Sequence, residues 1–264
     1  MFKQIFCIGD LHGSYLPIEN FWDRNKDNII FSQDTDVLIC LGDFGGNFFL
    51  NKRDKKFKKR LKEYNLTYFV IRGNHEQRPS ICAENDPESW HTEEFFENTV
   101  YVENDFPYIK YALDEPAIYN IDNYKTLIIP GAYSVDKYYR LANHWTWFEN
   151  EQLSEEEILI GRRILQENDY KFDLILSHTC PIAYEPTDLF LSQVDQSLVD
   201  KTMERYLGEI EFTTEYKLWL WGHFHSYRVY PRYQEKQCIM LSDGQEVINL
   251  KEWLENPETI HLSY

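Results

Sequence analysis

The stretch Ile5-Phe6-Cys7-Ile8-Gly9-Asp10-Leu11-His12-Gly13 sets the pattern of the chain: a short apolar run ends at a glycine, and chelating side chains follow at once. The pattern recurs where Val37–Leu41 leads into Gly42-Asp43, and where Tyr68–Ile71 leads into Arg72-Gly73-Asn74-His75-Glu76. Helical patterns over Tyr15–Arg24 and Phe48–Tyr64 separate the three runs. This alternation predicts parallel strands joined by crossover helices.

The polar residues after these runs are expected to share one edge of a sheet. Active groups in parallel sheets lie just beyond the carboxyl ends of the strands, where Asp10, Asp43 and Asn74 fall. Two later strands extend the pattern. Leu174–Leu176 leads into Ser177-His178, and Lys217–Trp221 leads into Gly222-His223-Phe224-His225.

The remaining segments complete an α/β fold that we interpret as one domain over residues 1–264. We find no linker, repeat or low-complexity tract. The capping box at Ser154 predicts a helix to about Glu167. Residues 80–130 are expected to form hairpins on one side of the fold, and the last forty residues antiparallel strands. The other predicted elements are strands Ala117–Ile121 and Thr126–Ile129, helix Gln193–Leu207, and strands Tyr227–Tyr230, Cys238–Leu241 and Glu246–Leu250.

Composition narrows the function classes. The formal net charge of −17 disfavours nonspecific binding to nucleic acid or to an anionic membrane, because phosphates would meet a repulsive mean field. No secretion signal or apolar run of spanning length is visible. The five scattered cysteines are typical of reduced thiols. We therefore expect a cytoplasmic protein.

The chelating residues form a pattern typical of a pair of divalent metal ions. Asp10 and His12, two residues apart, can bind one ion, and the single carboxylate of Asp43 can bridge two. Each motif alone is weak: Asp43 could be a turn or helix-cap residue, and His178 a structural histidine. Together they place two aspartates, one asparagine and five of the eight histidines at the ends of apolar runs. A two-metal centre indicates in-line displacement at phosphorus.

The set Asp10/His12, Asp43, Asn74/His75, His178 and His223/His225 resembles that of the calcineurin-like metallophosphoesterases, over about residues 5–226. The resemblance implies a four-layer α-β-β-α sandwich, with two mixed sheets face to face and helices outside. It implies one metal on Asp10, His12, Asp43 and His225, and a second on Asp43, Asn74, His178 and His223. His75 would be the histidine that binds no metal and protonates the leaving group or stabilises the transition state.

The expected enzyme is a phosphoric ester hydrolase that attacks a phosphate monoester or diester with a metal-activated hydroxide. We expect manganese as the metal, with iron, zinc, cobalt or nickel as alternatives. The expected substrate is small or nucleotide-like. A nuclease or cyclic-nucleotide phosphodiesterase with the same centre is the alternative within the enzyme class. A non-catalytic binding module with a vestigial site is the alternative outside it.

The segment Gly42-Asp43-Phe44-Gly45-Gly46-Asn47 lacks the arginine that protein phosphatases of this superfamily carry there, which argues against a phosphoprotein substrate. Three basic residues are candidate phosphate contacts: Arg72, Lys137 and Arg140. Arg72 could equally form a surface ion pair. The nearby Trp145 and Trp147 either form a wall for a base or belong to the core.

The run Lys52–Lys62 holds eight basic residues and one acidic residue. It could bind nucleic acid, but we favour a solvated helix face with Phe57 and Leu61 turned inward. The histidines outside the motifs are interpreted as structural: His91, His144 and His261.

Overall fold

The computed structural model describes residues 2–190, 192 and 194–256; His261 lies outside them. The strands are β1 (Gln4–Ile8), β2 (Asp36–Leu41), β3 (Thr67–Ile71), β4 (Trp90–Phe95), β5 (Asn98–Glu103), β6 (Ile109–Tyr111), β7 (Ala117–Ile121), β8 (Tyr124–Ile129), β9 (Leu174–Ser177), β10 (Leu218–Trp221), β11 (Arg228–Val229), β12 (Gln237–Met240) and β13 (Val247–Asn249). The helices are α1 (Leu16–Asn25), α2 (Lys52–Leu61), α3 (Pro79–Asn85), α4 (Lys137–Ala142), α5 (Glu155–Glu167), α6 (Thr202–Thr213) and α7 (Leu250–Glu255).

The strands form two mixed sheets with the same plan. The first has the order β13-β1-β2-β3-β6-β5-β4, and the second β11-β12-β10-β9-β8-β7. In each sheet four central strands are parallel: β1, β2, β3 and β6 in the first, and β8, β9, β10 and β12 in the second. Antiparallel strands close the edges.

Three buried clusters show that the layers are helix, sheet, sheet, helix. The middle cluster joins residues of both sheets, such as Ile39 and Leu220. A second lies under α1 and α2, where Phe21 and Phe57 pack on the first sheet. A third lies under α5 and α6 on the second sheet. The predicted four-layer sandwich is therefore confirmed.

The helix boundaries follow from side-chain caps. The Asn51 side chain accepts a hydrogen bond from the Arg53 N–H, so α2 begins at Lys52 and not at Phe48 as predicted. The Ser154–Glu157 capping box is formed as predicted and begins α5. In α2, Phe57 and Leu61 are buried, as the interpretation of a solvated helix face requires.

The prediction for residues 80–130 was only partly right. The hairpin of β7 and β8 forms, but it belongs to the second sheet. The preceding strands β4, β5 and β6 extend the first sheet. The segment therefore crosses between the two sheets, so it does not lie on one side of the fold.

The predicted helix Gln193–Leu207 was wrong in its boundaries. Gln196–Leu198 form a single 3-10 turn, and α6 runs from Thr202 to Thr213. The Asp200 side chain accepts hydrogen bonds from the N–H and hydroxyl of Thr202, so the helix begins there. Residue 193 lies outside the described residues.

The last strands do not form the antiparallel set that we predicted. β12 pairs parallel with β10 and antiparallel with β11 only. β13 joins the first sheet, antiparallel to β1. It ends at Asn249, whose side chain accepts a hydrogen bond from the Glu252 N–H and begins α7. Alternating patterns alone could not assign these strands to different sheets.

No helix within the described ranges is both long and apolar enough to cross a bilayer. The five cysteines are free thiols, as predicted, and four of them are buried.

Lys58 tests whether a basic residue of α2 stabilises the fold. Its side chain is 4 % exposed and forms an ion pair with Glu103 and a hydrogen bond with Asn47 Oδ1 at 3.2 Å. Lys58→Met should lower the free energy of unfolding by about 3 kcal/mol, because Glu103 would keep a buried charge without its nearest partner. Urea denaturation measures the change. Lys59→Met, on an exposed position of the same helix, is the control, and equal midpoints for the two variants would contradict the structural role.

Candidate metal centre

The parallel strands of both sheets deliver their following residues to one edge of the sandwich. Asp10, Asp43 and Asn74 follow β1, β2 and β3, while His178 and His223 follow β9 and β10. Ligand atoms of Asp10, His12 and Asp43 all lie within 4.8 Å of one another, a set that could hold a metal ion. The structure thus brings the predicted ligands together.

The Asp43 carboxylate lies at the centre of the cluster. Its Oδ2 is 3.9 Å from His12 Nε2, 3.9 Å from His75 Nε2 and 3.6 Å from His178 Nε2. Two ligands of one transition-metal ion at about 2.1 Å each lie roughly 3–4 Å apart. The separations of His12 and His178 from Asp43 therefore match donors that share an ion with it.

One group of donors lies on the side of Asn74. Its Oδ1 is 2.8 Å from His178 Nε2 and 3.1 Å from His223 Nδ1. The Nδ1 of His178 donates to the Leu41 carbonyl at 2.8 Å, which leaves Nε2 directed at Asn74 and Asp43. A backbone partner on the far ring nitrogen is the usual way in which a metal-binding histidine is oriented.

The other group contains Asp10 and two stacked imidazoles. The rings of His12 and His225 lie 4.9 Å apart and nearly parallel. One oxygen of Asp10 accepts the His223 N–H at 2.8 Å. Its Oδ1 is buried and has no hydrogen-bond partner among the described residues. An unpartnered buried carboxylate oxygen is costly unless a cation meets it.

The backbone at this edge is strained. Four of the predicted ligands have left-handed φ angles: His12 (48°), Asp43 (45°), His223 (69°) and His225 (52°). Each costs about 1–2 kcal/mol for a residue with a Cβ. Such strain is concentrated at functional sites, where the surrounding structure maintains it.

Two motif glycines are required by close packing. A Cβ at Gly42 would lie 2.0 Å from His178 Nδ1, and one at Gly73 would lie 2.1 Å from Asp43 Oδ1. Any larger residue would displace a predicted ligand. This explains why a glycine stands between each of these two strands and the chelating residue that follows.

The electrostatics of Asp43 and His178 are coupled. Burial acts to raise the pKa of Asp43, but the charges of His178 and His75 outweigh it and hold the pKa well below its usual range. Burial acts to lower the pKa of His178, but Asp43 and then Asp10 raise it to about 9. Asp43 is therefore an anion that is stabilised by nearby positive charge.

Three other donors, Asp10, His12 and His223, are held in less charged forms. Burial raises the pKa of Asp10 to about 7, against the opposing effect of His178. Burial lowers the pKa of His12 to about 4 and holds that of His223 well below its usual range. Neutral imidazoles are the form that binds metal.

His75 lies between the cluster and solvent. Its backbone N–H donates to Asp43 Oδ1 at 2.8 Å, and its ring Nε2 is 3.4 Å from Arg140 Nη2. Burial lowers the pKa of His75, against the raising effect of Asp43. His75 and His12 lie at the same distance from Asp43, so this distance does not show which of them binds metal. His75 differs from His12 because it lies beside the Arg140 guanidinium.

Two carboxylates that the sequence analysis did not assign support the motif turns. Glu76 is buried and accepts the N–H groups of Gly45 at 2.8 Å and Gly73 at 3.2 Å. It therefore ties the turn after β2 to the turn after β3. Burial, with the charge of Asp43, raises its pKa to about 7. Its position directly after Gly73-Asn74-His75 could have identified Glu76 from the sequence.

The second carboxylate, Glu151, acts through Ser134. Asn74 Nδ2 donates to Ser134 Oγ at 2.8 Å, and Ser134 Oγ donates to the Glu151 carboxylate. Glu151 also accepts the Ser134 N–H and Trp147 Nε1–H, each at 2.9 Å. This chain fixes the Asn74 amide so that Oδ1 faces the histidines. Ser134 follows the parallel strand β8, so strand position could have identified it.

Arg72 is not placed as predicted. The residue is 2 % exposed, its Nε lies 3.3 Å from Asp114 Oδ1, and its Nη1 donates to the Glu151 carbonyl at 2.7 Å. It lines neither cavity beside the cluster. Its ion pair is buried and not on the surface, and it binds the turn after β3 to the Glu151 segment.

The remaining candidates separate into two groups. The Lys137 Nζ lies 4.2 Å from the centre of the Trp147 ring, which is half-buried and bound to Glu151. Arg140 and the exposed Trp145 instead line a cavity of about 540 Å³ that opens on His12, Asp43 and His75. His144, interpreted as structural, also lines this cavity. His91 is held by Asn104 Oδ1 at 2.6 Å, away from the cluster.

The residues at this edge fit divalent cations. The seven predicted ligands comprise two carboxylates, one amide and four imidazoles, a donor set suited to first-row transition metals. Asp10 Oδ1, which accepts no hydrogen bond from the described residues, is one place where a cation would be bound.

Comparisons with known proteins agree with this chemistry. The family model of the calcineurin-like phosphoesterases matches residues 3–227. No curated protein matches the sequence significantly. Among solved structures, TT1561 of Thermus thermophilus is 13 % identical with a TM-score of 0.54, covering 96 % of each chain. A dimetal phosphatase from Danio rerio is 12 % identical with a TM-score of 0.50, covering 94 % of this chain and 92 % of that one.

At these identities the solved structures show a shared fold. The family match extends over most of the chain and includes all five motifs. Members of this family use divalent metals, usually two. The chain belongs to the calcineurin-like phosphoesterase family and is a phosphoric ester hydrolase.

Proposed function

We propose that this protein hydrolyses a small phosphate ester at a centre of two divalent ions that share Asp43. The observation that carries the proposal is the position of Asp43 Oδ2, less than 4 Å from imidazoles of both donor groups. When bound, two such ions supply Lewis acidity and ionise water near neutral pH.

The two donor groups support the assignment of ligands. Asp10, His12 and His225 would hold one ion, and Asn74, His178 and His223 the other. The stacking of His12 on His225 supports the first group. The approach of Asn74 Oδ1 to His178 and His223 supports the second. We expect manganese to be an effective metal at both positions.

His75 and Arg140 would act on the reacting phosphate. Both line the cavity that opens on Asp43. The Arg140 guanidinium can donate to phosphoryl oxygens, whose negative charge grows in the transition state. Once it carries a proton, His75 Nε2 can donate that proton to the leaving oxygen or donate a hydrogen bond to a phosphoryl oxygen.

The surroundings of the site support a small substrate. The chain carries a net charge of −17, and two of the basic residues on α2, Lys58 and Arg60, are paired with carboxylates. A long nucleic acid needs several free cations along its path. The decisive assay is hydrolysis of phosphate monoesters, diesters and nucleotides after reconstitution with manganese. Absence of turnover on every class would contradict the proposal.

We also propose a cytoplasmic location and a single domain. The five cysteines are free thiols, which supports the expected cytoplasmic location. The middle core cluster contains residues of both sheets and supports one domain over the chain.

Metal stoichiometry tests the sharing of Asp43. The wild type should bind two ions per chain, and Asp43→Asn fewer than two, because a neutral amide bridges cations poorly. Elemental analysis after gel filtration gives the counts, with Asp34→Asn at an exposed position as the control. Saturation of the wild type at one ion, or retention of two by Asp43→Asn, would show that the carboxylate is not shared.

The role of His75 separates chemistry from metal retention. His75→Ala should retain both ions and lower kcat by roughly 10²–10⁴-fold, the usual range for one acid–base group. His91→Ala, at an exposed histidine of β4, is the control. Loss of an ion from His75→Ala would instead make His75 a ligand.

Because Ser134 contacts the predicted ligand Asn74, a substitution of Ser134 should change metal affinity although Ser134 is not itself a predicted ligand. Ser134→Ala should weaken binding of one ion by about tenfold or more, because Asn74 Nδ2 would lose its shorter acceptor at 2.8 Å and keep the contact with His75 Nε2 at 3.2 Å. Chelator competition measures both affinities, and Ser197→Ala at an exposed serine is the control. Unchanged affinities would mean that the Ser134 contact does not orient Asn74.

A further inference from the structure

The cavity beside the candidate centre is far larger than a phosphate group needs. It measures about 540 Å³ and has His12, Asp43 and His75 at one end. This volume is typical of pockets that hold whole small molecules. The space beyond the reacting phosphate would therefore receive the leaving group.

The outer part of the cavity has aromatic walls. Phe49 and Trp145 line it, whereas Phe48 lies nearer the reacting end, with 6.2 Å between its ring centre and that of His75. Phe49 is 42 % exposed and Trp145 is 55 % exposed. Trp145 packs edge-on against Tyr139, with 5.4 Å between the ring centres. Partly exposed aromatic rings at a cavity wall favour a flat ring as occupant.

Arg53 places a cation at the same outer part of the cavity. It is the second residue of α2, is exposed and lines the cavity. Its guanidinium lies 4.7 Å from the centre of the Phe49 ring. It forms no ion pair with a carboxylate of the described residues, whereas Lys58 and Arg60 of the same helix do.

Arg140, the other arginine of this cavity, is placed differently. Its Nε donates to Asp136 Oδ2 at 2.7 Å, and its Nη2 lies beside His75. Arg140 is thus committed to the reacting end. Arg53 lies over the Phe49 ring and has no carboxylate partner among the described residues, so its N–H groups can donate to an anion of the substrate.

We infer that Arg53 and Phe49 form a leaving-group subsite that selects a nucleoside carrying a second phosphate. The ring of the base would pack on the aromatic wall, and the second phosphate would bind the Arg53 guanidinium. The inference rests on the proposed function and adds the class of leaving group. In the hydrolysis, water oxygen bonds to phosphorus, the ester P–O bond breaks and the leaving oxygen takes a proton. Arg53 touches none of these atoms and acts on binding.

Three phosphate monoesters separate the two parts of the subsite. Glycerol 2-phosphate has neither a ring nor a second phosphate, adenosine 3′-phosphate has the ring, and adenosine 3′,5′-bisphosphate has both. With the manganese-loaded wild type, kcat/KM at the 3′-phosphate should rise along this series. The value of kcat/KM should be about tenfold higher for the bisphosphate than for adenosine 3′-phosphate, as expected when one hydrogen bond to a charged group is gained.

Variants assign each step to a residue. Arg53→Gln should reduce the bisphosphate-to-monophosphate ratio of kcat/KM to near one. Lys56→Gln makes the same charge change on an exposed position of the same helix and should leave the ratio at about ten. Phe49→Leu should reduce the preference for adenosine 3′-phosphate over glycerol 2-phosphate.

The outcomes distinguish this inference from the proposed function. If glycerol 2-phosphate and 4-nitrophenyl phosphate are hydrolysed but the ratio is equal in wild type and Arg53→Gln, the subsite is wrong and the hydrolase stands. Turnover of no ester by the manganese-loaded wild type overturns both. Strong, salt-sensitive inhibition by single-stranded DNA that Arg53→Gln and Lys56→Gln weaken equally would also overturn the subsite, since it indicates a polyanion on the whole helix.

Discussion

Asp43 carries a negative charge where almost no water reaches it, and the arrangement of this edge of the fold follows from that constraint. The carboxylate is 2 % exposed, and Asp10 nearby is fully buried. Burying such charges costs several kcal/mol each unless cations or hydrogen-bond donors surround them. Imidazoles of both donor groups and the His75 N–H turn toward Asp43. Two divalent ions would supply the remaining positive charge.

The sandwich makes this concentration of polar groups possible. Each sheet has a parallel centre, so its strands end together, and the two sheets deliver their ends to one edge. The rigid strands can hold strained turns, which is why His12 and Asp43 keep left-handed backbones there. Glu76 and the Ser134–Glu151 contact then fix the turns to each other. The packed core therefore stabilises a backbone geometry at the ligands that the turns alone would not adopt.

The sequence predicted the parallel strands and their terminal ligands, because apolar runs and glycines are local signals. It could not predict the partners of Glu151 or the burial of Arg72, which depend on segments that are distant along the chain. The strands β12 and β13 were misassigned for a related reason, since their alternation fits either sheet. Trp145 and Trp147 show the same limit at the site, because they are close in sequence but have different roles. Trp145 lines the cavity, whereas Trp147 donates a hydrogen bond to Glu151. Only the fold decides between such alternatives.

Anomalous scattering from crystals of the manganese-loaded protein would show whether two ions share Asp43. We expect two manganese peaks at the edge of the sandwich, roughly 3.5–4 Å apart, as in two-metal centres, with the Asp43 carboxylate in contact with both. A single peak, or two peaks of which only one contacts Asp43, would contradict it.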